Sequence, residues 1–458
     1  MGLSASLNLS LQSMQVEQGA IETTSNNIAN ANTTGYARQR PDIAENPPIQ
    51  IGNLTFGDGV QLQAVTSLRD SVLDLRVNQE TQTQGQLTSF LNGGTQIQQL
   101  FNQAGGSGLQ SQLTAFFSSL SALAANPSDV NTRQGVLSAA QSLASAFKQT
   151  STSLTTLQQN TDVSVSQSVS QINALTKQIA AVNAQVTDAT SAGENAGAFV
   201  DQRQQLINQL SNLVGVQEID AGNNSLTLTT SNGAALVVGN QSFALASQIN
   251  PTTGFQDVYS QGSDITSQIS GGEIAGQIQI RDQEIPSIQS SLDGLAGDLA
   301  TAVNTQNQAG FDLNGAAGGN LFVPPAAGNV GAAANLALAT TDPTKIAASS
   351  DGTTGDNANA NALLNIQNQT IVNGQTPLNA YSGLVFKVGS DVSNAQSDQQ
   401  SSNLILQQVQ SLQGGVSNVD INEEAANLIL YQNAYQASAQ VSSVIDSLLQ
   451  TTINMVQS

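Results

Sequence analysis

Apolar positions at the start of the chain fall on one helical stripe: Leu3, Leu7, Leu11, Met14, Ile21 and Ile28, with Gln18 and Ser25 in the skipped places. Spacings of three, four and seven predict a helix. A stripe this narrow suits a coiled-coil seam better than a broad core face. The run Asn-Ala-Asn-Thr-Thr-Gly from Asn30 to Gly35 ends it, because Asn and Gly tolerate left-handed backbone. The far end of the chain mirrors this pattern. Leu428, Tyr431, Tyr435, Ser438, Ser442, Ile445, Leu449 and Thr452 alternate at three and four, and a second stripe of Val441, Val444, Leu448 and Met455 runs beside them. Asp420 with Glu423 reads as a capping box, and Glu424 adds negative charge at the positive helix end.

Between these helices the period changes several times. Pro41, Pro47 and Pro48 keep residues 41–66 extended, and Gly57-Asp58-Gly59 turns the chain before the alternating Val60, Leu62 and Ala64. Helical spacing returns near Leu68. Asn126 to Asp129 separates a helix carrying Leu113, Phe116, Leu120 and Leu123 from a longer one with Ile172, Leu175, Ile179, Val182 and Val186. Gly193 to Gly197 turns into a returning arm through Phe199, Leu206, Leu210 and Leu213. From Val216 to Ile280 the period is two, with Leu226 and Leu228, the turn Ser231-Asn232-Gly233, and later Ile278 and Ile280, which predicts a small β-domain. Residues 285–303 return to helix with Pro286 near its start, and the Gly-, Ala-, Asn- and Pro-rich stretch 312–361 reads as loop or linker.

The expected fold is therefore mainly α with a small inserted β-domain. It is an elongated multi-domain rod whose N- and C-terminal helices pair as an α-helical coiled coil. Residues 1–40 with 420–458 form the terminal helical domain, and 41–214 with 281–419 form a helical rod carrying short β-hairpin segments. Residues 215–280 form the β-domain. The terminal stripe residues Leu7, Leu11, Met14, Ile21, Ile28, Leu428, Tyr431, Tyr435, Ile445 and Leu449 are the candidates for subunit packing.

Composition narrows the function. The chain has 11 basic and 32 acidic residues, yet only 9% of it is charged. Its polarity is carried by Gln, Asn, Ser and Thr, so partners are met through apolar stripes and amide hydrogen bonds. Nucleic acid and anionic membranes are disfavoured, since both demand clustered Lys and Arg. Neither Cys nor His occurs, which removes disulfides, Cys/His metal sites, thiol nucleophiles and imidazole bases. No run approaches the roughly 18 apolar residues of a membrane span, and no basic residue precedes Arg38 as a signal-peptide n-region would require.

The remaining candidates for chemistry are weak. Asp312-Leu313-Asn314-Gly315 and Asp351 to Asp356 contain fragments of a calcium loop without its later Glu, so they read as tight turns. Glu423 and Glu424 point apart on a helix, and capping is the better role. The glycines of 105–108 and 314–319 lack the Lys or strand of a phosphate site. No cofactor or metal is expected, and no catalytic set. Arg69, Arg133, Arg203 and Arg281 each have an Asp nearby in sequence: Asp70, Asp129, Asp201 and Asp282. Arg38 and Arg40, with Asn30, Asn32, Gly35 and Tyr36, stand where the terminal helix meets the next domain and are the candidate junction residues.

Two segments carry a family resemblance. Ser25-Asn26-Asn27-Ile28-Ala29-Asn30-Ala31-Asn32-Thr33-Thr34-Gly35-Tyr36 is similar to the signature of flagellar rod, hook and hook-associated axial proteins. Asn427 to Ser438, reading NLILYQNAYQAS, is similar to their C-terminal signature. Arg38-Gln39-Arg40, the run Asn422 to Asn427, Phe199 to Arg203 leading into Leu213 to Val216, and Gly310 to Gly315 resemble the hook-associated branch. Family members often carry an extra outer domain near residues 324–345, where this chain has a short linker. The resemblance implies a structural subunit joining hook to filament, secreted by the flagellar type III export route without a cleaved signal. It implies a ring-like homo-oligomer, the hook protein and hook-associated protein 3 as partners, and an export chaperone bound near the C-terminus. A hook or distal-rod subunit, and a surface adhesin using the β-domain, remain alternatives at this stage.

Overall fold

The computed structural model describes residues 2–51, 54–101, 108–220, 222 and 225–457, so Gly105, Gly106 and Ser107 of the weighed glycine run lie outside it. Helix α1 (Leu3–Asn30) opens the chain. Strands β1 (Gln39–Glu45), β2 (Ile49–Ile51), β3 (Leu54–Phe56) and β4 (Val60–Ser67) follow. β1 and β4 pair antiparallel from Gln39↔Ser67 to Glu45↔Val60, and β2 pairs with β3. This hairpin lies back along α1: Asn46 Nδ2 donates to Gln12 Oε1 at 3.2 Å.

Helix α2 (Ser71–Phe101) begins where Asp70 accepts the N–H groups of Val72 and Leu73, so Asp70 caps a helix instead of pairing with Arg69. Helices α3 (Leu109–Ala125) and α4 (Val130–Ala192) are divided by the 126–129 turn, and Asp129 caps α4 through the N–H groups of Asn131 and Thr132. With 63 residues, α4 is about 95 Å long at the standard rise. Gly193, at φ +74°, closes it in left-handed geometry and returns the chain into α5 (Gly197–Leu213).

The β-block is smaller than its period suggested. Strands β5 (Val216–Asp220), β6 (Leu226–Thr230), β7 (Ala235–Val238) and β8 (Gln241–Ser242) form one sheet in sequence order. Strands β9 (Leu245–Ile249), β10 (Gln256–Ser260) and β11 (Ser263–Asp264) form another. Gly272–Gln279 is already helical (α6), continuing through a π turn at Ile280–Glu284 into α7 (Ile285–Gln308). Ile278 and Ile280, read as strand alternation, are therefore helical. Their spacing arose because the helix lies between two cores, and residues two apart face opposite sides: Ile278 belongs to one apolar cluster and Ile280 to the other. Pro286 stands in the first turn of α7, near the helix start as expected. It sits just after the π turn, where it has no N–H to give, and Gln158 Nε2 of α4 donates to the Arg281 carbonyl instead (2.8 Å).

The 312–361 stretch is no linker. Around α8 (Ala332–Asn335) and α9 (Ala358–Asn365) the chain is irregular, but Leu321, Phe322, Ala333, Ile346, Ala347, Ala348 and Ala360 are fully buried. Two buried asparagines replace secondary structure here. Asn304 accepts from the N–H groups of Leu321 and Phe322, and Asn307 accepts from that of Ala347. Helices α10 (Pro377–Ser417) and α11 (Ile421–Gln457) complete the chain. One core joins α2, α3, the first half of α4, α7, α10 and this irregular stretch; a second joins the rest of α4, α5, α6 and the β-block. No helix among the described residues is long and apolar enough to cross a membrane.

Candidate functional site

Two features stand out where the terminal helices meet the rod. The first is the pairing of α1 with α11. They run antiparallel, since Ser10 and Ser13 meet Ser438 while Asn27 meets Glu424. On α11 the face toward α1 carries Leu428, Tyr431, Tyr435, Ser438, Ser442 and Leu449, all half-buried, and Ile445, which is buried. On α1 the arrangement differs from the sequence expectation. Ser10, Val16, Ala20, Thr23, Thr24 and Asn27 are buried, whereas Leu7, Met14, Ile21 and Ile28 are half-buried and Leu11 is exposed. The hairpin takes part of the α1 surface, and small residues there let α11 and the hairpin approach together. The larger apolar residues are left beside the contact.

The second feature is a polar knot behind that pair. Asn27, one turn before the end of α1, makes four contacts. Its Oδ1 accepts from Tyr36 Oη (2.8 Å) and the Gln39 N–H (2.9 Å), and its Nδ2 donates to the Gln39 carbonyl (2.7 Å) and Glu424 Oε2 (3.1 Å). Arg38 bridges to both acids that open α11, at 2.7 Å to Glu424 and 2.7 Å to Glu423. Hydrogen bonding to Glu423 leads the effects that raise its pKa. Glu423 and Glu424 thus converge on one guanidinium, and Asp420 alone supplies the cap, through the Asn422 N–H. Arg38 N–H also donates to the Ser417 carbonyl, tying β1 to the end of α10.

On the rod side, Asp201 of α5 accepts from the Ala37 N–H (3.0 Å) and from Arg69 (2.7 Å). Burial pushes the Asp201 carboxyl up despite those donors. The Tyr36 phenol is pushed up to about 12, first by burial and then by the Asp201 and Glu424 carboxylates. Gly35 lies at φ +78°, and a Cβ there would strike the Gln205 side chain. Arg69 donates to its carbonyl.

Of the junction candidates, then, Tyr36, Arg38 and Gly35 belong to the knot. Asn30 bonds back to Asn26 within its helix and accepts from the Thr33 hydroxyl, while Asn32 is exposed at the edge of a cleft. Arg40 is 62% exposed and pairs with Asp42 on its own strand, so its position beside Arg38 did not place it in the knot. Asn27, Arg69, Asp201 and Glu424 complete it. Asp201 had been matched by sequence proximity to Arg203, but Arg203 donates to Asn183 and Asp201 goes to Arg69. Likewise Arg133 donates to the carbonyls of Pro127 and Ile346. Arg281 does pair with neighbouring Asp282, and with Asp162. The signal available for Asn27 was its place on the α1 face opposite the large apolar stripe.

The acidic loops serve as turns. Asp312 accepts from the N–H groups of Asn314 and Ala316 and pairs with Lys345. Asp351 and Asp356 hold Thr353, Ser350 and Ala358. No group of carboxylates suited to a metal occurs among the described residues.

One surface is left open. Val441, Val444 and Leu448 are 52%, 54% and 49% exposed, in a row beside the one that faces α1. With Leu430, also exposed, they repeat at heptad-like spacing along the middle of the helix. Scattered single apolar residues are ordinary on a surface, and a continuous row is not.

Comparison with known proteins agrees with this organisation. A family model described as the flagellar hook-associated protein FlgK helical domain matches residues 94–322. The basal body rod FlgEFG C-terminal model matches 413–455, and a basal body rod protein model matches 7–36. Flagellar hook-associated protein 1 of Escherichia coli (strain K12) is 27% identical over 550 aligned positions, covering 99% of this chain and 100% of that protein. The protein of the same name from Bacillus subtilis (strain 168) is 28% identical, covering 98% of this chain and 97% of its own length. The solved structure of the flagellar hook junction protein FlgK from Burkholderia pseudomallei superposes with a TM-score of 0.65 at 20% identity. It covers 74% of this chain and 100% of that one.

Proposed function

Since this chain belongs to the family of the flagellar hook-associated protein FlgK, and is a structural component of the bacterial flagellum, we propose that it joins hook to filament by packing its terminal helices against those of neighbouring subunits. Each copy contributes α1 and α11 to an inner ring, with the rod outside and the β-block farther out. The open stripe on α11 carries this reading: one seam is covered by α1, and the other awaits a helix from a second copy. The half-exposed Leu7, Leu11, Met14, Ile21 and Ile28 of α1 offer the complementary surface. Joining two different patches makes a head-to-tail contact, which closes into rings or continues as a helix.

No Lys or Arg precedes Arg38 or follows Lys387. The seams therefore bind by apolar burial, worth about 25 cal/mol per Å², and not by ion pairs. The proposed partners are further copies, the hook protein on one side and hook-associated protein 3 on the other. Export would follow the flagellar type III route with a chaperone near the C-terminus, and the role is structural and not enzymatic. Deleting residues 428–458 tests this reading. The rod should still fold, and filament growth should stop; filaments growing on the truncated chain would overturn it.

A further inference from the structure

We propose that Glu218 of β5 and Asn78 of α2 form a proton-operated latch, which holds the β-block to the rod more firmly when Glu218 is protonated. Both residues belong to one chain, so the latch stands apart from the assembly reading above. Asp74, Asn78 and Gln82 follow one another along one face of α2 at a spacing of four. On β5, Val216 and Glu218 are two apart and share a side of the strand. Gln82 Nε2 donates to the Val216 carbonyl at 2.9 Å, and Asn78 Nδ2 donates to Glu218 Oε1.

Asn78 is satisfied on one side only. The residue is 2% exposed, and its Oδ1 is buried with no hydrogen-bond partner. Buried acceptors rarely stay unpaired, because the loss of water is then uncompensated. An ionised Glu218 has no hydrogen to offer Oδ1, whereas a protonated one has an O–H. A carboxylic acid and a primary amide each carry one donor beside one acceptor. The protonated pair can therefore close on both sides, and the ionised pair closes on one. Glu218 is half-buried and lines the cleft between α2, α5 and the β-block, so its proton exchanges with water.

The charges around Glu218 come from three elements. Asp74 of α2 repels the ionised form and is itself held by Arg69 and Gln413. Arg203 of α5 attracts that form while donating to Asn183, and Asp220, farther along β5, acts on Arg203. Asp201 of α5 is held by Arg69 and the Ala37 N–H. Of the other α2 charges, Arg76 is exposed and Glu80 accepts from Ser402 of α10. Strand β6, beside β5, carries no charge. Burial leads and pushes the Glu218 carboxyl up. The Asn78 hydrogen bond and Arg203 oppose it, and Asp74 adds to it. A carboxyl raised in the folded chain contributes stability that is fully present below its unfolded value. That contribution is lost as pH rises through the folded value. The latch is thus closed in acid and loosens toward neutral pH.

The test reads amide exchange in β5 and β6 of the full chain. Glu218→Gln carries the missing donor at every pH. Near neutral pH it should slow exchange there about fivefold, the worth of one net hydrogen bond. The difference should vanish below about pH 4, the range of an ordinary glutamate. On an Asn78→Leu chain, which keeps the volume and removes the amide, Glu218→Gln should lose at least half of its gain. Asn78→Ala repeats the comparison if leucine does not fit. A gain kept on the Asn78 variants would mean that only a buried charge had been removed, and the latch would fall. It falls equally if Glu218→Gln changes nothing at neutral pH, or if its gain persists in acid.

Discussion

The rod and the terminal pair are built from similar helices and differ in how far each is finished. In the rod, α3 buries Leu113, Phe116, Leu120 and Leu123 almost completely, and Phe116 packs edge-on against Phe322 from the irregular stretch. In the terminal pair, α11 has 37 residues, of which Glu424 and Ile445 alone are buried among those described. Helices that bury so little have weak support from packing, and packing is where most helical stability in proteins arises. The rod is complete within one chain. The terminal pair keeps a row of exposed apolar side chains on α11 and is held in place by the polar knot at its base.

The largest effect should come from the finished half. Phe116→Ala should cost about 3–5 kcal/mol, the usual loss for emptying a fully buried aromatic site, read by urea unfolding followed by circular dichroism. A loss below 1 kcal/mol would mean that the rod is no better packed than the terminal pair, and the contrast would fail.

Most of this contrast was legible in the sequence. Heptad spacing gave both terminal helices, and the covered and open rows of α11 appear there as two separate stripes. The rod helices and their turns followed from apolar periodicity and from Asp129 and Gly193. What was not legible had physical causes. Ile278 and Ile280 mimic a strand because their helix is buried on both sides. The 312–361 stretch looks like linker by composition, yet Ala fills its core and Asn304 and Asn307 supply its hydrogen bonds. The knot was visible only at Gly35, Tyr36 and Arg38. Asn27, Asp201 and Glu424 join it across 164 to 397 positions of chain, and nearest-neighbour pairing of Arg with Asp cannot reach that far.

The knot itself gives the intermediate effect. Arg38→Ala leaves Glu424, whose side chain is 3% exposed, with Asn27 as its remaining partner. The cost should be about 2 kcal/mol, within the range for a hydrogen bond to a charged group. The exposed Glu423 adds little. Amide exchange should quicken at Arg38 and through the first turns of α11 while α3 and α4 stay protected. Arg40→Ala, outside the knot, should change stability by less than about 0.5 kcal/mol. Equal effects from the two arginines would remove the knot as the base of the terminal pair.

The smallest effect on the isolated chain is the most telling. Val441 and Leu448 are about half exposed in the open row of α11, so Val441→Ser with Leu448→Ser changes side chains that the monomer leaves largely in water. Its unfolding free energy should move by less than about 0.5 kcal/mol. Sedimentation at rising concentration should nevertheless show assembly lost, because the same side chains form the open row that a neighbouring helix would cover. If the double variant destabilises the monomer as Phe116→Ala does, the row is already covered within one chain. The terminal pair would then be as finished as the rod.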